Sequence, residues 1–392
     1  MKRLLISISL LSVFVLVLWA GCGVPPAAVD SDEPLELAAA MGGDTLGYAR
    51  ATGPRPFDFP ADYGAHPEFK TEWWYLTGNL ESNEGRRFGY ELTLFRSAMA
   101  PPDSARDADT ESDTWATNQL YMGHFSLADP ETGTFHAFER FARGAAGLAG
   151  AESPPFRIWL EDWTMTGTSE EALFPLHLDA MEDGVGIDLM LSQAKPIVLQ
   201  GERGWDPKGE GSGNASYYYS FTRIQTAGSV IIDGDTLSVA GTSWKDHEWS
   251  TSALGDDEMG WDWFALQLDD GREIMFYQLR RKDGTQSPFT GGTFVREDGT
   301  YRHLPPTDVT LEVRNTWTSD VSGAEYPSGW NLRIPSEDLD LVVQPVMPNQ
   351  ELNVSVRYWE GAVDISSTSA GVSISGRGYV ELTGYEPLPV VE

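Results

Sequence analysis

The sequence predicts an all-β protein made of antiparallel sheets, and three observations predict it. Apolar and polar residues alternate with a period of two in one segment after another. Acid–glycine pairs stand between those segments, where a hairpin needs a residue that tolerates positive φ. No long stretch keeps the apolar spacing of a helix.

The alternating segments begin after Phe57. The first two are Trp74-Tyr75-Leu76-Thr77-Gly78-Asn79-Leu80 and Phe88-Gly89-Tyr90-Glu91-Leu92-Thr93-Leu94-Phe95. Ser229–Ile232, Leu237–Ala240 and Glu273–Leu279 continue the series. The turns are Glu84-Gly85, Asp233-Gly234, Asp270-Gly271, Asp283-Gly284 and Asp298-Gly299. Residues 104–114, rich in Asp, Ser and Thr, read as an exposed loop.

A repeat runs through this pattern. Tyr218-Tyr219, Gly228-Ser229-Val230-Ile231 and Val239-Ala240-Gly241-Thr242 recur as Tyr358-Trp359, Gly371-Val372-Ser373-Ile374 and Val380-Glu381-Leu382-Thr383. Asp188-Leu189-Met190-Leu191 echoes Asp340-Leu341-Val342-Val343 in the same order. Two copies of one β module fit this, at 56–240 and 241–392. The plainer reading is that strands with glycine turns resemble one another anyway.

The chain has 392 residues and a formal net charge of −32, with hydrophobic residues at 41%. That apolar share is enough to fill sizeable cores. The acidic surface repels nucleic acid and anionic headgroups, so neither is expected as a partner. At the N-terminus, Lys2 and Arg3 precede an apolar run from Leu4 to Trp19, then Ala20-Gly21-Cys22. This reads as a secretory signal over 1–21. Leu18-Trp19-Ala20-Gly21-Cys22 resembles a bacterial lipobox, with Trp19 as a departure from its usual small or aliphatic residue. The expectation is export to the bacterial cell envelope and a lipid anchor on Cys22, the sole cysteine. Residues 22–55 then read as a flexible acidic, Pro/Ala-rich tether.

Common catalytic signatures do not occur: no nucleophile elbow, phosphate-cradling loop or His-Glu-x-x-His is found. The six histidines show no metal-ligand spacing on one element, so neither metal nor cofactor is expected from local pattern. The densest cluster is Trp244-Lys245-Asp246-His247-Glu248-Trp249 with Trp261-Asp262-Trp263. If the first part is extended, His247 and Trp249 share one face, and Asp246 and Glu248 share the other. Indole walls desolvate an acid or imidazole beside them and shift its pKa. Two readings stand: a His-plus-Trp set lining a cavity, or a tryptophan-rich barrel plug whose histidine is simply hydrogen-bonded. Glu72-Trp73-Trp74-Tyr75 offers a second acid beside aromatics, or a solvated or arginine-paired glutamate. His124 sits in a third aromatic strand, as a site residue or a satisfied core residue. Tyr358-Trp359-Glu360 is either another acid against an aromatic wall or an edge strand.

These stretches together resemble the AttH/CrtC family, which includes carotenoid 1,2-hydratases and proteins labelled predicted secreted hydrolases. The matching residues are Thr71–Leu80, Gly241–Ser250, Gly260–Phe264 and Tyr358–Val363. The resemblance implies two tandem lipocalin-like antiparallel β-barrel domains. It implies catalytic roles for His247 and Trp249, with Asp262 and then Asp246 as candidate acids. Trp244, Trp261, Trp263, Trp73, Trp74, Tyr75, Glu72 and His124 are the candidate substrate-binding set. The expected activity is that of a carotenoid 1,2-hydratase-like hydro-lyase on a hydrophobic isoprenoid, polyene or lipid-like molecule. Its steps are proton-initiated hydration or isomerisation. The alternatives are a non-catalytic carrier of a hydrophobic ligand and a secreted hydrolase.

Overall fold

The computed structural model describes residues 35–36, 44–102, 117–252, 254–255, 257–367 and 373–386. The leader, Cys22 and the 104–114 loop lie outside the described residues. No α-helix occurs among them.

In chain order the main strands are β1 (Thr71–Ser82), β2 (Arg87–Ala98), β3 (Gln119–Asp129), β4 (Thr134–Arg143), β5 (Ala149–Glu152), β6 (Arg157–Leu160), β7 (Trp163–Gly167), β8 (Leu176–Glu182), β9 (Val185–Gln193), β10 (Ala215–Ile232) and β11 (Asp235–Ser250). They form one antiparallel sheet in the order β4-β3-β2-β1-β11-β10-β9-β8-β7-β6-β5. The remainder are β12 (Glu258–Leu268), β13 (Glu273–Arg281), β14 (Gly291–Val295), β15 (Tyr301–Leu304), β16 (Thr310–Val313), β17 (Trp330–Ile334), β18 (Leu339–Pro345), β19 (Val356–Ser367) and β20 (Ser375–Leu382). Their order is β15-β14-β13-β12-β20-β19-β18-β17-β16.

The two sheets have the same plan. A four-strand meander opens each, and the last strand returns to pair with the first: β11 with β1, and β20 with β12. The sequence repeat falls on equivalent strands, Tyr218 on β10 with Tyr358 on β19, and Val239 on β11 with Val380 on β20. Each sheet curls round its own core. Trp74, Leu76, Leu92, Phe125 and Trp163 fill the first, and Phe264, Leu266, Trp330, Leu341 and Val380 fill the second. The chain is thus two antiparallel β-barrel domains in tandem.

Two expected boundaries move. The break placed between 240 and 241 falls inside β11, which pairs with β1 from Val239 to Ser250, so the change of barrel comes after Ser250. The physical reason is strand length: pairing with β1 continues for ten residues past the apparent repeat edge. The tether does not reach residue 55 either. Ala51 is fully buried in the first core, and its carbonyl accepts a hydrogen bond from Trp205 Nε1 at 2.9 Å. Leu35–Glu36 also pair in parallel with Val356–Arg357.

Period two gives each strand a second face. Where Trp74 and Leu76 enter the first core, Trp73 and Tyr75 point outward. Where Phe264 and Leu266 enter the second, Trp263 and Ala265 point outward. These outward faces meet and bury a separate cluster of Tyr75, Tyr218, Trp244, Trp263, Met275, Tyr277 and Leu279. Asn79 Nδ2 donates to the Gly378 carbonyl across this seam at 2.9 Å, and Lys195 Nζ reaches Glu273 at 2.8 Å.

Candidate active site between the barrels

The outward faces leave about 790 Å³ that no protein atom fills, part of it open to solvent. Strand register explains what lines it. On the first sheet, Ser220, Asp246, Tyr75, Thr93, His124 and Glu139 stand directly opposite one another on β10, β11, β1, β2, β3 and β4, so all share the outer face. Tyr218, Glu248, Trp73 and Phe95 form the adjacent row. On the second sheet, Tyr277, Trp263, Glu381 and Glu360 form the facing row. The cavity wall comprises Trp73, Tyr75, Phe95, Tyr218, Asp246 and Glu248 on one side. Trp261, Trp263, Tyr277, Tyr358, Glu360 and Glu381 stand on the other, with Lys208 and Leu254 also lining it.

The carboxyls differ in what holds them. Asp246 accepts hydrogen bonds from Tyr218 OH (2.5 Å), Ser220 Oγ (2.5 Å) and Trp244 Nε1 (2.7 Å). Burial pushes its pKa up to about 6 against the pull of those donors, so it is mostly ionised at neutral pH. Glu381 accepts from Trp261 Nε1 at 2.8 Å, and burial carries it up to about 8. Glu360 accepts from Tyr75 OH at 2.9 Å, and its Oε1 has no partner among the described residues. Burial first, then the charges of Glu381 and Glu91, hold Glu360 well above the usual carboxylate range. Glu91, fully buried beneath, is raised to about 8 by burial. Protonated acids therefore face an ionised carboxylate across the cavity. Lys208 completes the wall, 2.6 Å from Asp206 and 4.1 Å above the Tyr277 ring.

The His247–Trp249 set does not reach this cavity. Both side chains are fully buried inside the first barrel, because the strand that sends Asp246 and Glu248 outward sends them inward. His247 Nε2 donates to Glu72 Oε1 at 2.8 Å, and Nδ1 accepts from Tyr219 OH at 2.8 Å. Burial lowers His247 to about 3, so the ring is neutral. Glu72 also accepts from Arg96 Nε (2.9 Å) and His66 Nδ1 (2.7 Å). Trp249 stacks on His66 at 3.8 Å, and Trp74 stacks on His247 at 4.7 Å. The arrangement is a hydrogen-bonded plug. The ligand atoms of His66, Glu72 and His247 lie within 4.8 Å of one another, a spacing that suits an ion. Each already has a protein partner, and the positive charge is supplied by Arg96 and a protonated His66.

Asp262 is equally displaced. It alternates with Trp261 and Trp263, accepts from Arg280 Nε (3.0 Å) and Tyr385 OH (2.8 Å), and belongs to the interior of the second barrel. The pairing of His247 with Asp262 is therefore corrected, since each faces its own barrel interior. Each barrel carries a buried carboxylate–arginine pair from its first two strands, Glu72–Arg96 and Asp262–Arg280. Of the other candidates, Asp246, Trp73, Tyr75, Trp261 and Trp263 line the cavity, and Trp244 backs Asp246. His124 stands one step behind the wall, bonded to Tyr358. Glu381 was missed. Its signal was the repeat itself, which aligned Val380-Glu381-Leu382 with a strand already placed beside the aromatic cluster.

Residues 50–385 match the family model described as AttH-like. The chain belongs to the AttH-like family. The structure of a protein assigned as AttH from Nitrosomonas europaea shares 32% identity, with a TM-score of 0.74 over 86% of this chain and 99% of that one. Kievitone hydratase from Nectria haematococca shares the fold at 15% identity and a TM-score of 0.65, over 87% of this chain and 98% of that one. The dehydratase asqC of Emericella nidulans is 21% identical over 227 residues, which is 55% of this chain and 63% of that relative. The AttH-like assignment carries the two lipocalin-like barrels with it.

Proposed function

We propose that this AttH-like protein is a hydro-lyase that adds water to, or removes it from, an isoprenoid alkene held between the barrels. The observation that carries this is the opposition of protonated Glu360 and Glu381 to ionised Asp246 across an indole-walled cavity. Two carboxyls with pKa values driven apart are what acid–base chemistry needs. Glu360 would give its proton to the less substituted alkene carbon, and the π electrons form the new C–H bond. The resulting tertiary cation lies against Trp73, Trp261 and Trp263, each able to stabilise it by roughly 0.5–2 kcal/mol. A water oxygen then bonds to the cation and releases a proton to Asp246. Dehydration runs the same steps backwards. Hydratase and dehydratase relatives support the reaction class. The leader sequence supports an exported, Cys22-anchored enzyme at the cell envelope.

The test is native mass spectrometry of protein from its host to find a bound apolar molecule, followed by incubation of that molecule in 18O-labelled water. Label should enter the product if water is added, the product should be lighter by one water if it is removed, and Glu360→Gln should lower turnover by roughly 10²–10⁴-fold while ligand affinity stays within a few fold. Unchanged turnover in Glu360→Gln refutes the assignment. A stoichiometric ligand recovered chemically unaltered favours a carrier, a role for which the enclosed aromatic wall also suits.

A further inference from the structure

We propose that Glu139, His124 and Tyr358 form a proton relay joining solvent to the acids of the cavity. Tyr358 lines the cavity, and its hydroxyl donates to His124 Nδ1 at 2.7 Å. His124 is fully buried, and its Nε2 lies 3.1 Å from Glu139 Oε1. The Glu139 side chain is 13% exposed, so the chain of bonds ends at water. Burial keeps the imidazole neutral, against the opposing pull of Glu139. An ionised carboxylate only accepts, so Nε2 carries the hydrogen and Nδ1 accepts from the tyrosine.

That arrangement sets a direction. A proton taken up by the Tyr358 oxygen displaces the hydroxyl hydrogen to Nδ1, and the Nε2 hydrogen passes to Glu139 and on to water. The ring is then left with Nδ1–H and a bare Nε2. One proton moving inward through the same bonds restores it. The relay thus alternates one export with one import, with no net charge transferred. A hydration cycle has this balance: water loses one proton to the base, and the acid must regain one. Glu360 stands two residues from Tyr358 on β19, on the same face, and Glu91 stands two residues from Thr93, which faces His124. A comparable Tyr219–His247–Glu72 chain lies inside the first barrel, but its glutamate has no exposure and is fixed by Arg96, so it leads nowhere.

The relay takes only its purpose from the proposed function, and its test uses no substrate, so either can fail without the other. Infrared spectroscopy of the whole protein after transfer to heavy water follows the carbonyl stretch of the protonated carboxyls, assigned with Glu91→Gln and Glu360→Gln. His124→Gln, which can still bridge Tyr358 and Glu139 but cannot pass a proton, should slow their exchange by at least about tenfold. Tyr358→Phe should do the same. Unchanged exchange in folded variants, with only the melting temperature altered, would mean a structural brace and overturns the relay. Should the variants fail to fold, 15N NMR of the wild-type histidines decides. A neutral His124 whose ring N–H exchanges rapidly with heavy water upholds the relay, and a charged ring or a ring N–H that resists exchange sinks it.

Discussion

The hydroxyl of Tyr75 on the first barrel donates to Glu360 of the second at 2.9 Å, and this bond crosses the cavity seam. It favours the ionised form of Glu360, in opposition to burial. Tyr75→Phe should therefore raise the Glu360 pKa further. The proposed role of Glu360 as the acid requires its protonated form, so the alkaline limb of the pH–rate profile should move to higher pH. A limb that stays in place or moves lower would show that Glu360 is not the titrating acid.

Trp73 lines the cavity and would offer the proposed cation an aromatic face. Trp73→Leu keeps the wall apolar and removes the face. Turnover should fall by roughly two- to thirtyfold, the rate equivalent of about 0.5–2 kcal/mol, with ligand binding little changed. Single-turnover rates beside equilibrium titrations separate the two.

The barrel plug makes stability depend on pH in two opposite senses. Burial alone would lower His66, but the Glu72 charge and the bonds to Asp62 and Glu72 carry it up to about 9. The folded state then holds a proton that the unfolded chain loses near pH ~6.5, so stability should decline as pH rises from ~6.5 through about 9. His247, lowered to about 3 by burial, must stay neutral, so its contribution is lost as pH falls from ~6.5 toward about 3. Thermal melts across pH should show both slopes. His66→Gln should remove the alkaline one, and an unaltered slope in that variant would count against a charged His66.

Gly89 sits where the barrels touch. A Cβ there would lie 2.5 Å from the Ala362 Cβ. Gly89→Val should cost roughly 1–3 kcal/mol in chemical denaturation and weaken ligand retention by parting the sheets. Gly85, in an open turn with nothing near its Cβ position, provides the contrast: Gly85→Asn should leave retention intact.

The all-β class was legible from alternation, the duplication from the recurring Tyr218–Thr242 pattern, and the placing of Asp246 and Glu248 on one face from period two. Alternation also separated His247 and Trp249 from Asp246, but it could not say which face met a cavity. The densest aromatic–histidine cluster drew attention to the inner face, and that face proved to be a plug. From Ser243 to Ser250 both faces of β11 are buried, one in a barrel and one in a seam, so composition did not distinguish them. The same ambiguity made Asp262 the leading candidate acid, because it shares a strand with two cavity tryptophans although it faces the second barrel's interior. Glu360 was visible as an acid against aromatics. Its partner Tyr75 is 285 residues away in sequence, and only folding brings them together.

The barrel interiors and the cavity wall use different side chains of the same strands. The inward set of β1, β11 and β12 fills the barrels, and the outward set lines the cavity between them. Retargeting this scaffold to a new molecule therefore calls for a variant library restricted to alternate positions, such as Trp73, Phe95, Trp261 and Tyr277. The residues that fill the two barrel interiors would stay untouched.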